Sequence, residues 1–494
     1  MDVFVEKTIL LITIFLPFAA GALLPLLRFG TQRKVRTAYV CAACVLTLAG
    51  VVYLSCCGVE NYVNLWQITP QIALSFRVDG LSKVFALVAS SLWVLVSLFS
   101  HTYMKHERDE DRFFTFFLLS LGALIGMDFA ANLVCMYVLY EVLTLAALPL
   151  VLHSLKKEAI AAAMKYLFYS VAGAFMALLG ILFLSRFSTT LEFAAGGVLG
   201  AAAAEHQSLL YWVIFVAVLG FGAKAGLYPL HGWLPSAHPV APAPASAVLS
   251  AVITKAGVLG IIRIVYFIVG PAMLRGSWVQ FAWLALALLT VFMGSMMAYR
   301  EKELKKRLAY SSISQISYVL TGVFLLSAQG LVGALLHVVF HAVIKTALFL
   351  VAGAIIYYTG HTRVDELRGI GKQMPVTMWS FALVSLGLVG IPPVSGFVSK
   401  WYLATASLQS ATGIITWLAP VVLLVSALLT ALYLLPIVIG GFFPGKGYSY
   451  PVAKLEDSKC VLVPLVVLAA ATLILGMFPS GLLGALQTLA ANLV

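Results

Sequence analysis

Five ionisable residues lie inside long apolar runs of this chain: Glu141, Lys224, Lys255, Lys345 and Lys400. His337 and His341 precede Lys345 at steps of four residues. On a helix, successive members of that series rotate by about 40° and rise by about 6 Å, so the three form one stripe roughly 12 Å long. A charge at the centre of a bilayer costs roughly 2.5–3.5 kcal/mol on insertion scales. Five unpaired charges would cost on the order of 10 kcal/mol, comparable to the stability of a whole domain. A chain keeps such groups only where they are paired, hydrated and useful. Moving protons is the chemistry that suits them. An imidazole accepts on one nitrogen and donates from the other, and a desolvated ammonium gives up its proton far more readily than one in water.

Each residue also has a plainer reading. A lone carboxylate in hydrocarbon stays protonated and inert, whereas beside a lysine it ionises. Glu141 is read as the one acid inside any span, so its partner is a lysine. A Glu–Lys staple between helices is the structural alternative, but a staple alone needs no further lysines. Lys224 lies about one turn before a proline-rich break, and Lys255 is as deep; for both, snorkelling to an interface is the alternative. Arg263, two turns beyond Lys255, reads as a structural anchor. Lys400 follows a second break and ends the series near the outer face. Histidines four apart also suit a metal, but no intramembrane carboxylate or cysteine completes a ligand set, so no metal is expected. Two satisfied core histidines are the remaining alternative. Ser311, Ser312, Ser314, Gln315 and Ser317 either hold waters or pack helices. His231 and His238, in the proline-rich break, either gate proton uptake or cap backbone groups.

The elements that hold these residues are membrane helices. Of 494 residues, 62% are apolar and only 10% charged, with a mean hydropathy of +1.02; a soluble chain carries about 25% charged residues. Spans of about 20 residues fall at 8–27, 37–57, 79–101, 113–130, 132–152, 160–186, 208–228, 245–269, 277–299, 308–327, 331–358, 376–404, 415–441 and 460–486. The first reads as a retained helix rather than a signal peptide. With the N-terminus outside, the loops 28–36, 101–112, 153–165, 300–307, 359–375 and 442–459 carry 21 of the 31 Lys and Arg residues. Lys7, Arg77, Arg186 and Arg275 are the four on the other side. That is the positive-inside asymmetry, and it puts both termini on the outer face. It explains the net charge of +12 without nucleic acid. The cysteines, Cys41-x-x-Cys44 included, read as small buried hydrophobes. No haem, flavin, nucleotide or iron–sulfur pattern is present, so no cofactor is expected and redox chemistry belongs to other subunits.

Two runs are broken by proline, which removes a backbone donor and clashes with the preceding turn. They are Lys224-Ala-Gly-Leu-Tyr-Pro229 through Pro244, and Gly390-Ile-Pro392-Pro393-Val-Ser-Gly396-Phe-Val-Ser-Lys400. At membrane depth irregular backbone survives only where protein buries it or water lines it, and paired broken helices mark an ion pathway. The expected organisation is a three-helix segment at 1–111, a five-helix repeat at 112–269, a second at 277–441 and a last transmembrane helix at 442–494. The third helix of each five is read as broken. Five being odd, the second repeat is inverted.

The stretch from Lys224 to Arg263 resembles the signature of the antiporter-like subunits shared by respiratory complex I, Mrp-type Na+/H+ antiporters and energy-converting membrane hydrogenases. The matching elements there are Lys224, Pro229-Leu-His231-Gly-Trp233-Leu-Pro235, Ala241-Pro-Ala-Pro-Ala-Ser246, Lys255-Ala-Gly257 and Arg263. Val78-Asp79-Gly80-Leu-Ser82, Asn132 with Tyr140-Glu141, Lys165-Tyr-Leu-Phe-Tyr-Ser170, Tyr310-Ser-Ser-Ile-Ser-Gln315, the histidine stripe and Pro393 to Lys400 extend it over nearly the whole chain. The resemblance implies an all-α polytopic protein of about fourteen transmembrane helices, with two five-helix inverted repeats and a polar axis. It implies Glu141 and Lys224 as a coupling pair, Lys255 with His337, His341 and Lys345 as a central relay, and Lys400 as the terminal carrier. Two departures point toward a hydrogenase-type or Mrp-type subunit. The long lateral helix of the distal complex I subunit has no counterpart after the fourteenth span. Lys400 also stands where the middle complex I subunit carries glutamate. The run from His231 through Pro239 looks hydrogenase-like. The expected function is a proton-translocating subunit of a membrane oxidoreductase, with no catalytic centre of its own. Its expected partners are other antiporter-like and small membrane subunits, a peripheral redox module and lipid, in a prokaryotic inner membrane. The alternatives are an Mrp-type Na+/H+ secondary antiporter and a scaffold with a vestigial polar axis.

Overall fold

The computed structural model describes residues 3–27, 29, 32–56, 62–69, 72–410, 412–445, 448 and 454–494. Two helices, α1 (Val3–Leu27) and α2 (Arg33–Cys56), lead into an antiparallel hairpin of β1 (Tyr62–Thr69) and β2 (Ile72–Arg77). Then come α3 (Gly80–Tyr103), α4 (Glu110–Asp128), α5 (Leu133–Val151), α6 (Lys157–Phe187) and the single turn α7 (Ala202–Glu205). The first broken helix is α8 (Gln207–Ala225) with α9 (Leu234–Val240). α10 (Ala243–Val248) and α11 (Thr254–Ile262) are joined into one span by π-helical turns at Leu249–Ile253 and Arg263–Val269. After the turn α12 (Pro271–Leu274) follow α13 (Trp278–Arg300), α14 (Leu304–Phe324) and the 32-residue α15 (Ala328–Thr359). The second broken helix is α16 (Pro375–Val389) with α17 (Ser395–Leu408), and the chain finishes with α18 (Ile415–Phe442), α19 (Lys459–Met477) and α20 (Ser480–Ala491).

Among the described residues, eleven helices are long and apolar enough to cross a membrane. The expected fourteen spans also take in α4, α14 and the broken pair α16–α17, which are helical but fall outside that group. The charges of α4, the polar run Tyr310–Ser317 of α14 and the interruption in α16–α17 account for the difference. The last expected span, 460–486, is two helices: α19 stops at Met477 and α20 begins after Pro479.

Burial sorts the helices into centre and rim. The Ala243–Val269 span is buried throughout its apolar window and α15 over 83% of it, whereas α2, α18 and α19 are buried over only 33%. Lys255, His337, His341 and Lys345 therefore ride on the two most buried spans, whereas Glu141, Lys224 and Lys400 sit on helices with an exposed side.

The breaks are built alike. α8 ends on Gly226 at φ +80°, with Leu227 N–H donating to the Gly222 carbonyl at 2.8 Å. α16 ends on Gly390 at φ +89°, with Ile391 N–H donating to Leu386 at 3.2 Å. Both are six-to-one closures on a left-handed glycine, and each is followed within three residues by a cis X–Pro bond, Tyr228–Pro229 and Pro392–Pro393. α8 packs mainly on α6, and α17 on α15. Counted along each stretch of five, the break falls in the fourth helix, which corrects the reading that it is the third. The half-helices on either side of each break belong to one interrupted span.

The hairpin is a feature that the sequence pattern does not announce. Asn132 ties it to the bundle: its side-chain oxygen caps Cys135 N–H at the start of α5, while its amide donates to Ala73 O (2.8 Å) and Ser75 Oγ (2.7 Å).

Candidate functional site

The site is built from α5, α8, α11, α14, α15 and α17. Lys224, in the last turn of α8 and fully buried, reaches across to α5. Its Nζ donates to the Tyr140 carbonyl at 3.0 Å and Thr144 Oγ1 at 2.7 Å, and it lies 3.6 Å from the Tyr140 ring centroid. Glu141 is next to Tyr140 on the same turn, close enough to act on Lys224 through charge. Among the described residues no ion pair joins the two, and the buried Oε1 of Glu141 has no hydrogen-bond partner. Glu141 is half-buried on the flank of α5 that also carries exposed Val138 and Leu145.

Lys255 is 2% exposed and donates to Ser250 O at 2.7 Å, a carbonyl in the wide π-helical turn that also takes the Thr254 hydroxyl. From there protein groups run on. Ser250 Oγ meets Ser312 Oγ at 2.6 Å, Ser312 donates to Leu308 O, and Lys345 Nζ donates to the same Leu308 carbonyl at 2.9 Å and to Ser311 Oγ. His341 follows, buried, with neither ring nitrogen partnered among the described residues, its ring 5.8 Å from that of His337 and nearly parallel to it. His337 bonds Gln315 Oε1 through Nε2 (3.2 Å) and Ser399 Oγ through Nδ1 (2.9 Å). Lys400, beside Ser399, donates to Leu388 O (2.6 Å) and Val389 O (2.9 Å), the end of α16 across the break. A cation at the C-terminal end of a half-helix is favoured by the helix dipole. Lys224 stands in the last turn of α8 before its own break, but its ammonium turns away to α5 rather than to the α8 carbonyls. Gly390 leaves room for Lys400: a Cβ there would lie 2.9 Å from Lys400 Cδ.

Lys255, Lys345, His341, His337 and Lys400 are thus brought into one row. Among the described residues no hydrogen bond links Lys224 to Lys255, so the Glu141–Lys224 corner stands apart from it. Of the serines left open by sequence, Ser311 and Ser312 belong to the row, and Gln315 holds His337. Ser314 instead joins a hydroxyl cluster with Ser295 and Ser426 that packs α13, α14 and α18 together.

The two break histidines separate. His231 is half-buried and stacked on Tyr228. His238 is fully buried, stacked on Phe349 at 4.7 Å, with neither ring nitrogen partnered among the described residues. It borders Pro239, part of the lining of a cavity of about 870 Å³ on the basic face, together with Glu107, His153, Lys156, Glu303 and Lys305. Burial raises the Glu107 and Glu303 carboxyls above the usual range against the pull of Lys305. It holds His153 down at about 4, with Arg112 adding to the effect. Lys305 forms the floor, donating to Pro239 O at 3.1 Å and to Ala241 O. In the sequence Lys305 does not stand out from the loop charges, because it is one of five cations in 300–307.

Two acids correct the reading that Glu141 is alone in the spans. Asp79 opens the 79–101 span and Asp128 lies within 113–130. Asp79 caps α3 and takes both terminal nitrogens of Arg263, at 2.6 and 3.0 Å, so Arg263 is held as an anchor. Asp128 closes α4, 1% exposed and without a hydrogen-bond partner on either oxygen among the described residues. Among those residues no three His, Cys, Asp or Glu side chains group as metal ligands.

A family model described as NADH:quinone oxidoreductase/Mrp antiporter, TM matches residues 130–430, and one described as NADH-ubiquinone oxidoreductase (complex I), chain 5 N-terminus matches 66–114. NADH-quinone oxidoreductase subunit N of Desulforudis audaxviator is 33% identical over 84% of each chain. An Na(+)/H(+) antiporter subunit of Alkalihalophilus pseudofirmus is 28% identical over 95% of this chain and 94% of its own. The fold matches that of a chain in the archaeal membrane-bound sulfane sulfur reductase complex, with a TM-score of 0.87, 23% identity, and coverage of 98% of this chain and 97% of that one.

Proposed function

Since the chain belongs to the NADH:quinone oxidoreductase/Mrp antiporter family, we propose that it translocates protons as the antiporter-like subunit of a complex-I-related membrane oxidoreductase. The observation that carries this reading is the row from Lys255 through Ser250, Ser312, Lys345, His341 and His337 to Lys400. Protons enter from the basic, inner side through the cavity over Lys305 and His238, and both termini face outward. The half-buried flank of Glu141, with exposed Val138 and Leu145 beside it, is covered by a neighbouring membrane subunit of the complex. A peripheral redox module drives a charge change that reaches Glu141 through that neighbour. When its pull weakens, Lys224 gives its proton toward Lys255 through water, and Lys400 releases the last proton outside.

In the assembled complex, Lys224→Ala and Glu141→Ala should lower proton translocation by about a hundredfold, the scale of losing a positioned proton carrier, while the complex still assembles. Normal translocation by the Lys224→Ala complex contradicts the proposal. The likeness over 95% of the chain to an Na(+)/H(+) antiporter subunit favours a second reading, sodium–proton exchange without a redox partner. Sodium-driven proton movement with the redox substrate withheld would establish it.

A further inference from the structure

We infer that Asp128 is a further proton-carrying carboxylate of this chain, discharged at the face opposite the basic one when Arg263 leaves Asp79 for it. The inference extends the relay proposed above and rests on it for the supply of protons. Asp128 ends α4 fully buried, and neither oxygen has a donor among the described residues. A buried carboxylate with no donor is costly as an anion, so in this arrangement Asp128 holds its proton. The charge that faces it is Arg263, from the span packed against α4. Beyond Arg263 stand Asp79 at the start of α3 and Arg77 at the end of β2.

Arg263 is engaged elsewhere: both terminal nitrogens bond Asp79, and its guanidinium lies 4.6 and 4.5 Å from the ring centroids of Phe193 and Phe267. Asp79 does not depend on it alone. Its carboxylate also accepts from Ser82 N–H at 2.8 Å and lies 4.0 Å from Arg77. Arg263 can therefore leave Asp79 without stranding it, whereas Asp128 has no second cation among the described residues. Arg263 opens the π-helical stretch Arg263–Val269, and such wide turns recur at functional sites because they permit a local change of register. Asp79 and Arg77 line a cavity of about 470 Å³ with Phe193, Phe267 and, from α20, Thr488.

The step balances as a proton transfer. As the guanidinium swings to Asp128, the carboxylic O–H bond breaks and a hydronium O–H forms in the cavity water, leaving the carboxylate paired with Arg263. A proton from Lys255, which precedes Arg263 on its span by two turns, about 12 Å along the axis, re-forms Asp128–OH, and Arg263 returns to Asp79. This gives the Lys255 end of the row an outlet besides Lys400, one that works only while Lys345, whose charge acts on Lys255, is present to be loaded with it.

The test compares the assembled complex in sealed vesicles as wild type, Asp128→Asn, Asp128→Glu and Lys224→Ala, with infrared difference spectra and proton translocation as readouts. The wild-type spectrum should contain the carbonyl stretch of a buried carboxylic acid that is absent in Asp128→Asn and shifted in Asp128→Glu. Translocation should fall about tenfold in Asp128→Asn and recover to within about threefold of wild type in Asp128→Glu, which keeps the acid. Wild-type translocation in Asp128→Asn, an unchanged band, or equal losses in Asn and Glu complexes overturns the inference. Lys224→Ala separates the two proposals. Transport unaffected there, with the Asp128 band still present and transport lost in Asp128→Asn, removes the Lys224 switch and leaves Asp128 standing.

Discussion

Three buried lysines and the half-buried Lys400 share a mode of attachment. Lys224, Lys255, Lys345 and Lys400 each donate to main-chain carbonyls, two of them also to a hydroxyl, and none bonds a carboxylate among the described residues. A carbonyl accepts from an amine as well as from an ammonium, so the side chain keeps its place whether or not it carries the extra proton. A direct ion pair would instead lock the charged form. Ser312 is the smallest piece of the row whose removal is informative. Ser312→Ala deletes the 2.6 Å bond to Ser250 and should lower translocation about tenfold. The stability loss should be only about 1 kcal/mol, the net worth of one buried hydrogen bond. Loss of stability without loss of transport would make Ser312 a packing residue. The stripe of His337, His341 and Lys345 is legible in sequence because a spacing of four is enough to place three side chains on one helix face. Asp128 is not, because an acid at the end of an apolar run looks the same whether it reaches water or turns inward. Lys305 is hidden in the same way among loop cations.

At the scale of the element, the breaks do the positioning. Gly390 meets two demands, a φ of +89° and space against Lys400. Gly390→Ala should therefore cost about 1–3 kcal/mol, seen as an earlier thermal transition of the purified complex, and should reduce transport beyond what the lost stability explains. A stable, fully active Gly390→Ala complex contradicts the role given to the break. Prolines and glycines make both interruptions readable in sequence. Their place in the fourth helix is readable as well, since 208–228 and 376–404 are each the fourth span of their five. The hairpin escapes because Asn132, which bonds it to α5, is more than fifty residues away from its partners.

At the scale of the whole molecule, charge and burial act in one direction. Basic loops gather at one end, where the large cavity over Lys305 opens, and the two most buried spans carry Lys255, His337, His341 and Lys345 of the row. The Glu141–Lys224 corner lies at the flank of the bundle and the row at its centre, with no hydrogen bond between Lys224 and Lys255 among the described residues. In the relay proposed above, coupling from a neighbour to the row crosses that gap through water. The antiporter-like fold that the resemblance implies holds over the length of the chain.

Any proton carried along the row passes Lys345, its middle, bonded to Leu308 O on the side of Lys255 and one turn from His341 on the other. The decisive measurement is the number of protons moved per catalytic turnover by an assembled Lys345→Ala complex in sealed vesicles. Translocation should fall about a hundredfold with the partner subunits still bound; wild-type stoichiometry from that complex would remove the row from the proton path.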